Sequence, residues 1–221
     1  MPGELWIVDP SLRTPEDQGV ETLLDRWNGR HRLFRPALRP GDGPTPQSGH
    51  EAAALVVLGS AASVHDEPPW LTDLSAWLAP VVAGRIPLPL LGVCFGHQLV
   101  AQLAGGRVQS MDGLKRVGVE DTTMQGSRLL PGVTSLRVVV SHREIVVGRP
   151  PGFAVTARRR GVEIDGLEHE SLPVFSFQFH PEAREEFAAR CGIPVGSLDD
   201  RLRADSVRLI DAFLALARAG Q

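Results

Sequence analysis

The stretch from Leu88 to Gly106 constrains this chain more than any other. Leu88 to Val93 is an apolar run, too short for a free-standing helix but suited to a buried parallel strand. The residues that follow set Leu99, Val100 and Leu103 on one side of a helix. Between the two lies Gly92-Val93-Cys94-Phe95-Gly96, the cysteine form of a nucleophile elbow, in which a sharp strand-to-helix turn lifts the central side chain out at the sheet edge. A glycine on either side removes the Cβ atoms where strand and helix pass closest. The helix also points its N-terminus at the sulfur, which favours thiolate over thiol. A structural cysteine buried behind a core strand would present the same five residues, so the turn alone leaves both readings open.

A second stretch bears on that choice. Pro173 to Phe179 is another apolar strand, and it runs into His180-Pro181-Glu182. A thiol nucleophile needs a base, and the base needs an orienting carboxylate. His180 and Glu182 lie two residues apart at a strand end, where side chains point the same way, and Pro181 stiffens the link. The two motifs, GVCFGHQ around Cys94 and FQFHPE around His180, resemble those of the class I glutamine amidotransferases, the glutaminase domains found in GMP synthetase, carbamoyl phosphate synthetase and anthranilate synthase. Weaker matches extend the resemblance over nearly the whole chain. It implies one α/β domain over residues 1–221, with a mostly parallel, flavodoxin-like central sheet flanked by helices and a smaller antiparallel extension.

The resemblance also implies roles. Cys94 would attack the side-chain amide of glutamine, His180 would carry the proton, and Glu182 would orient the imidazole. Backbone N–H groups of Phe95 and of the Gly59-Ser60 loop would form the oxyanion hole. Relatives carry a Gly-Gly-Pro-x-Ser-like loop there; this chain has Ser60 for the second glycine and Ala61 for the proline. If position 60 needs a positive φ, serine adopts it at a cost. Ser141-His142-Arg143-Glu144 is similar to the family's Ser-His-Gly-Asp segment, whose backbone helps hold the α-amino and α-carboxylate groups, and Gln98 matches a substrate-contacting position. Arg143 replaces a glycine, and its side chain either crowds the substrate or points into solvent. Arg116 stands two residues before Gly118, where relatives often carry an acid.

The remaining chain reads as alternating elements. Leu5–Asp9 is a strand, followed by a helix with Thr14 as N-cap, Pro15 at its first position and Val20, Leu23, Leu24 and Trp27 on its inner face. Arg32–Leu38 and Ala53–Leu58 are further strands, separated by a surface loop over Pro40–Gly49. Pro68-Pro69 opens a helix whose Trp70 and Trp77 read as core. Val117–Glu120, Leu136–Val140 and Phe153–Ala157 read as strands of the antiparallel part, and Glu163–His169 as a strand pair with a turn. Ala183–Cys191 and Leu198–Ala219 close the chain as helices, with Cys191 read as structural.

Length and composition enter as bounds. A chain of 221 residues suits one well-buried domain, and a formal net charge of −3 gives no footprint for nucleic acid. There is no apolar run long enough for a membrane span, and the opening MPGELWIVDP, which goes straight into a strand, gives no expectation of a secretory signal. The two cysteines, Cys94 and Cys191, fit a reducing cytoplasm, and seven scattered histidines offer no metal-ligand spacing, so no cofactor or metal is expected. The expected partners are glutamine or a γ-glutamyl compound as substrate and a separate synthetase that takes the ammonia. Two alternatives stay open: a γ-glutamyl hydrolase or peptidase on the same scaffold, and a non-catalytic regulatory subunit.

Overall fold

The computed structural model describes residues 3–44 and 52–219. Its main sheet has nine strands, built first from five parallel ones: β1 (Glu4–Val8), β2 (His31–Phe34), β3 (Ala52–Val57), β4 (Leu90–Val93) and β11 (Val174–Phe177). Four antiparallel strands continue the same sheet beyond β11: β10 (Val162–His169), β9 (Phe153–Arg159), β6 (Arg116–Met124) and β7 (Ser135–His142). β5 (Arg107–Ser110) and β8 (Glu144–Gly148) form a separate antiparallel pair. The expected mostly parallel sheet with an antiparallel extension is therefore present, and that extension joins the central sheet edge-on.

Helices cover both faces, as they must where parallel strands are apolar on both sides. On one face α1 (Asp17–Leu24) and α5 (Asp200–Ala219) pack Val20, Leu23, Leu209, Ile210 and Phe213 against Ile7, Val56, Leu91 and Phe177. On the other, α2 (Pro69–Val82) and α3 (Phe95–Leu103) bury Leu74, Trp77, Leu78, Leu99 and Val100 against Trp6, Leu55 and Leu90. Trp77 stacks on Trp6 with ring centroids 5.9 Å apart, as expected of a core residue, and the half-buried Trp70 tilts against Phe95.

Several boundaries differ from the expectation. α1 begins at Asp17 instead of after Thr14, and the buried Asp9 carboxylate accepts from the Glu16 N–H at 3.0 Å in place of a side-chain cap. β2 stops at Phe34, where the chain turns back on itself from Arg35. Glu163–His169 is one strand, not a pair; the pleat absorbs the expected turn as a register shift beside Gly166. The last helices start at Glu185 (α4, to Cys191) and Asp200, with a single 3-10 turn at Val195–Ser197 between them. The surface loop over Pro40–Gly49 is described only as far as residue 44, and the rest lies outside the described residues. No helix among the described residues is long and apolar enough to cross a membrane.

Candidate active site

β4 lies between β3 and β11, all three parallel, so the residues leaving their C-terminal ends meet at one edge of the sheet. Those residues are Gly59, Cys94 and the turn to His180. Cys94 adopts φ 50° and ψ −100°, a strained conformation whose cost of about 1–3 kcal/mol the surrounding structure must hold. The elbow glycines are required by contact. A Cβ on Gly96 would strike the Val57 carbonyl, and one on Gly92 would come within 2.6 Å of the Gly96 oxygen. Gly59 is required as well, since its Cβ would meet the His180 ring carbon Cε1 at 2.7 Å.

His180 is anchored by its backbone N–H on Val139 O at 2.9 Å, and its Nδ1 lies 2.8 Å from Glu182 Oε1. Both side chains are buried. Burial opposes charging the imidazole, but Glu182 and Cys94 outweigh it and hold the His180 pKa well above 6.5. Its Nε2 is buried without a hydrogen-bond partner among the described residues, as a group reserved for proton transfer would be. The Cys94 thiol donates to Ser141 O at 3.7 Å. Phe95 opens α3, so its N–H belongs to the first turn, whose N–H groups have no intrahelical acceptor.

Ser60 is not strained. Its φ is negative, unlike that of Cys94 and Asp112, the two non-glycine residues with positive φ among those described. Its hydroxyl instead donates to Pro10 O at 2.7 Å and accepts from the Ala62 N–H at 3.1 Å, which ties the loop down. The expected cost of serine at position 60 is thus replaced by a tether.

A cavity of about 660 Å³ opens over these groups, within the range that holds small organic ligands. Gly59, Ser60, Cys94, Gln98, Ser141, His142, Arg143, His180 and Glu182 all line it. Gln98 donates from Nε2 to Glu144 O at 2.9 Å, and its own carbonyl accepts no hydrogen bond from another of the described residues. Glu144 Oε2 is buried without a hydrogen-bond partner among the described residues. Arg143 is exposed at the rim, so its side chain is both solvated and part of the cavity lining.

His142 Nε2 lies 3.2 Å from Arg159 Nη2. Arginine can only donate, so Nε2 accepts and the ring proton sits on Nδ1. Burial and the Arg159 charge lower the His142 pKa to about 3, which keeps it neutral. Arg159 is itself clamped by Asp165 through two bonds of 3.0 and 2.7 Å and by Glu120 at 2.9 Å. This network also explains Arg116, which grips Glu120 with bonds of 2.7 and 2.8 Å and donates to Arg160 O.

Sequence reasoning passes over four residues of this site. Glu16 lines the cavity, pairs with Arg190 and, through burial and then its neighbour Glu182, titrates near 7, raised from 4.5. Arg190 lines the same wall. Cys191, read as structural, also lines the cavity and donates to Ser141 Oγ at 3.3 Å. Gln178 is fully buried and donates from Nε2 to Cys94 Sγ at 3.6 Å. Only Gln178 carries a visible signal, as an amide in an otherwise apolar strand. Glu16 stands just before α1, far from either motif, and Arg190 and Cys191 close α4, beyond the His-Pro-Glu turn.

Comparison with known proteins agrees with this arrangement. The model of the family described as glutamine amidotransferase class-I matches residues 49–188. The chain is 36% identical over 115 residues to a glutamine-hydrolysing GMP synthase subunit of Pyrococcus abyssi, covering 48% of this chain and 61% of that one. It is 33% identical over 140 residues to the glutamine-hydrolysing GMP synthase of Gibberella zeae, covering 61% of this chain and 24% of that one. The chain thus spans less than two thirds of the length of these curated relatives. A solved structure of a glutamine amidotransferase from Methylobacillus flagellatus shares the fold with a TM-score of 0.78 at 19% identity, covering 100% of this chain and 95% of that one. One from Thermotoga maritima does so with a TM-score of 0.78 at 15% identity, covering 98% and 99%. Since the family match runs across the elbow and the His-Pro-Glu turn alike, the chain belongs to the class-I glutamine amidotransferases.

Proposed function

We propose that the chain hydrolyses the side-chain amide of glutamine to glutamate and ammonia, through a thioester on Cys94. One observation carries this reading. The elbow and the His180 turn leave the ends of adjacent parallel strands, with the His180 ring already paired to Glu182. The Cys94 thiol proton passes to His180 Nε2, and the sulfur attacks the amide carbon. The oxyanion is held by the N–H groups of Phe95 and of the Gly59-Ser60 loop. His180 returns the proton to the departing nitrogen, and ammonia leaves as the C–N bond breaks. Water then attacks the thioester, giving a proton to His180, and the bond between the acyl carbon and Cys94 Sγ breaks to release glutamate, the sulfur taking the proton back from His180. The unpartnered Glu144 Oε2 and the free Gln98 carbonyl suit the α-ammonium group of the substrate.

The relatives named as GMP synthases support a separate synthetase as acceptor of the ammonia. A reducing cytoplasm would keep Cys94 the free thiol this chemistry needs. Glutamate release from glutamine, measured for the parent and for Cys94→Ala, tests the reading. Turnover that survives Cys94→Ala overturns it.

A second reading has its own support. Arg13, Lys115 and Arg143 are exposed at the cavity and make no ion pair among the described residues. Three unpaired cations beside a cavity roomier than a single amino acid suit a γ-glutamyl compound with an anionic leaving group.

A further inference from the structure

We infer that Gln178 is a further catalytic residue, its side-chain amide donating to Cys94 Sγ and holding the thiolate that forms when the proton leaves. The inference deepens the glutaminase reading and rests on it for its place in the reaction. The geometry fixes which end of the amide faces the sulfur. Gln98 Nε2 donates to the Glu144 backbone carbonyl at 2.9 Å, an atom that can only accept. The same Nε2 lies 3.3 Å from Gln178 Oε1, so that oxygen accepts. Gln178 Nε2 is then turned toward Cys94 Sγ, 3.6 Å away. The order Glu144 carbonyl, Gln98, Gln178, sulfur leaves no alternative rotamer in which both glutamine amides keep these partners.

A primary amide buried beneath an apolar strand carries a desolvation cost that only hydrogen bonds offset. Gln178 has no solvent exposure and Gln98 only 4%. At the resting sulfur the thiol donates to Ser141 O while accepting from Gln178. Once the proton is on His180, the Ser141 contact loses its hydrogen and turns repulsive toward the anion. The Gln178 contact strengthens, because a hydrogen bond to an ionised acceptor is about twice as strong as a neutral one. It adds to the first turn of α3, which faces the same sulfur. As the thioester forms, the sulfur loses its charge and the contact relaxes, so the amide favours the thiolate over both thiol and acyl-enzyme.

The test reads the thiol without glutamine turnover, and so fails or succeeds separately from the glutaminase reading. Cys94 and Cys191 are alkylated with iodoacetamide across pH 5.5–9.5, and each site is quantified by mass spectrometry. Gln178→Met keeps the bulk and removes the donor. It should slow Cys94 alkylation at pH 7 by about tenfold and move its rate–pH curve up by about one pH unit, with Cys191 unchanged. Gln98→Met, which leaves Gln178 in place but removes its orienting partner, should shift the curve the same way by less. It also serves if Gln178→Met does not fold. His180, Glu182, His142, Glu144 and Glu16 also line the cavity and are common to every variant, so differences between variants report the amide. A Cys94 curve that stays where it is in the parent in a folded variant overturns the inference. So does a shift equal at Cys94 and Cys191.

Discussion

His180 and Glu182 face each other at 2.8 Å across a single proline, each buried, with the second oxygen of Glu182 and the second nitrogen of His180 left without hydrogen-bond partners among the described residues. The carboxylate thus spends one oxygen on the imidazole, and the imidazole keeps one nitrogen open, which the proposed mechanism uses for the thiol proton. His180→Asn should therefore reduce kcat about as severely as Cys94→Ala, by at least about three orders of magnitude, and the double variant should be no worse than either. Glu182→Gln should cost roughly ten- to a hundredfold less, since base and nucleophile remain. Steady-state kinetics on the parent and these variants decides it. A Glu182 variant more damaged than the other two would contradict the assigned roles.

Cys94 and Cys191 both line one cavity, yet only the first sits on the strained turn at a helix N-terminus. A glutamine-analogue diazoketone should label Cys94 at low excess and Cys191 only at much higher excess. Cys191→Ser should keep the activity, because serine retains the hydroxyl-sized contact to Ser141. Peptide mapping of the labelled protein gives the order of reaction, and Cys191 reacting first would remove Cys94 from the nucleophile's place.

What is legible in the sequence is what lies close along the chain. The elbow, the His-Pro-Glu turn and the parallel strands each carry their signal in a handful of consecutive residues. Glu16 and Arg190 do not, because they meet only when α1 and α4 pack side by side across 174 positions of chain. The Arg159 network joins β6, β9 and β10 with the end of β7 in the same way. The sequence places the start of α1 two residues early because its cap comes from Asp9, in the preceding strand's turn, and not from the Thr14-Pro15 pair. Ser60 reads as strained by comparison with a glycine, whereas the chain solves the loop with a hydroxyl tether.

That tether makes a clear prediction. Ser60→Gly removes the hydrogen bond to Pro10 and adds backbone freedom, which together cost about 1–2 kcal/mol of stability. It should lower the glutaminase rate of the isolated chain, not raise it, by letting the oxyanion loop move. Ser60→Ala should lose the hydrogen bond alone and fall between. Urea denaturation alongside kcat for the three proteins tests this, and a faster Ser60→Gly enzyme would point back to loop strain.

Arg143 reaches the cavity from an exposed position, with Lys115 and Arg13 beside it. If the rim recognises an anionic leaving group, Arg143→Gly should raise KM for γ-glutamyl dipeptides carrying a free carboxylate by about tenfold, the worth of one charge-assisted contact. KM for glutamine should change little. The comparison is kcat/KM for glutamine and for γ-glutamyl-glycine in parent and variant. Equal changes for both substrates would return Arg143 to a solvated role.

The buried titrating groups set how stability responds to pH, and their signs oppose. His97 is fully buried, with Nε2 donating to Ile164 O at 3.3 Å and Nδ1 accepting from Ser176 Oγ at 2.9 Å, and burial lowers its pKa to about 4. His142 is lowered to about 3. Unfolded, both would take a proton near 6.5, so below that pH the unfolded chain binds protons the folded one refuses. Stability from these two is full above about 6.5 and is lost as pH falls toward 4. Glu16 behaves oppositely, because its folded pKa of about 7 lies above the 4.5 it has when exposed. The folded state keeps its proton through that window, and the Glu16 contribution is full below about 4.5 and lost as pH rises to 7. The parent should therefore gain stability from pH 4.5 to about 6.5 with a slope blunted by Glu16, then lose stability above about 6.5 as Glu16 and His180, whose folded pKa is held well above 6.5, keep protons that the unfolded chain releases. Glu16→Gln should steepen the rise and weaken the later decline, leaving the part due to His180, so its stability relative to the parent climbs between pH 5 and 8 by an amount on the order of 2 kcal/mol. His142→Asn should flatten the acid side. Urea denaturation at pH 5, 6, 7 and 8 measures the differences between curves, which do not depend on what each substitution costs at any one pH. Curves that run parallel for parent and Glu16→Gln would show that this carboxyl does not hold its proton in the folded protein.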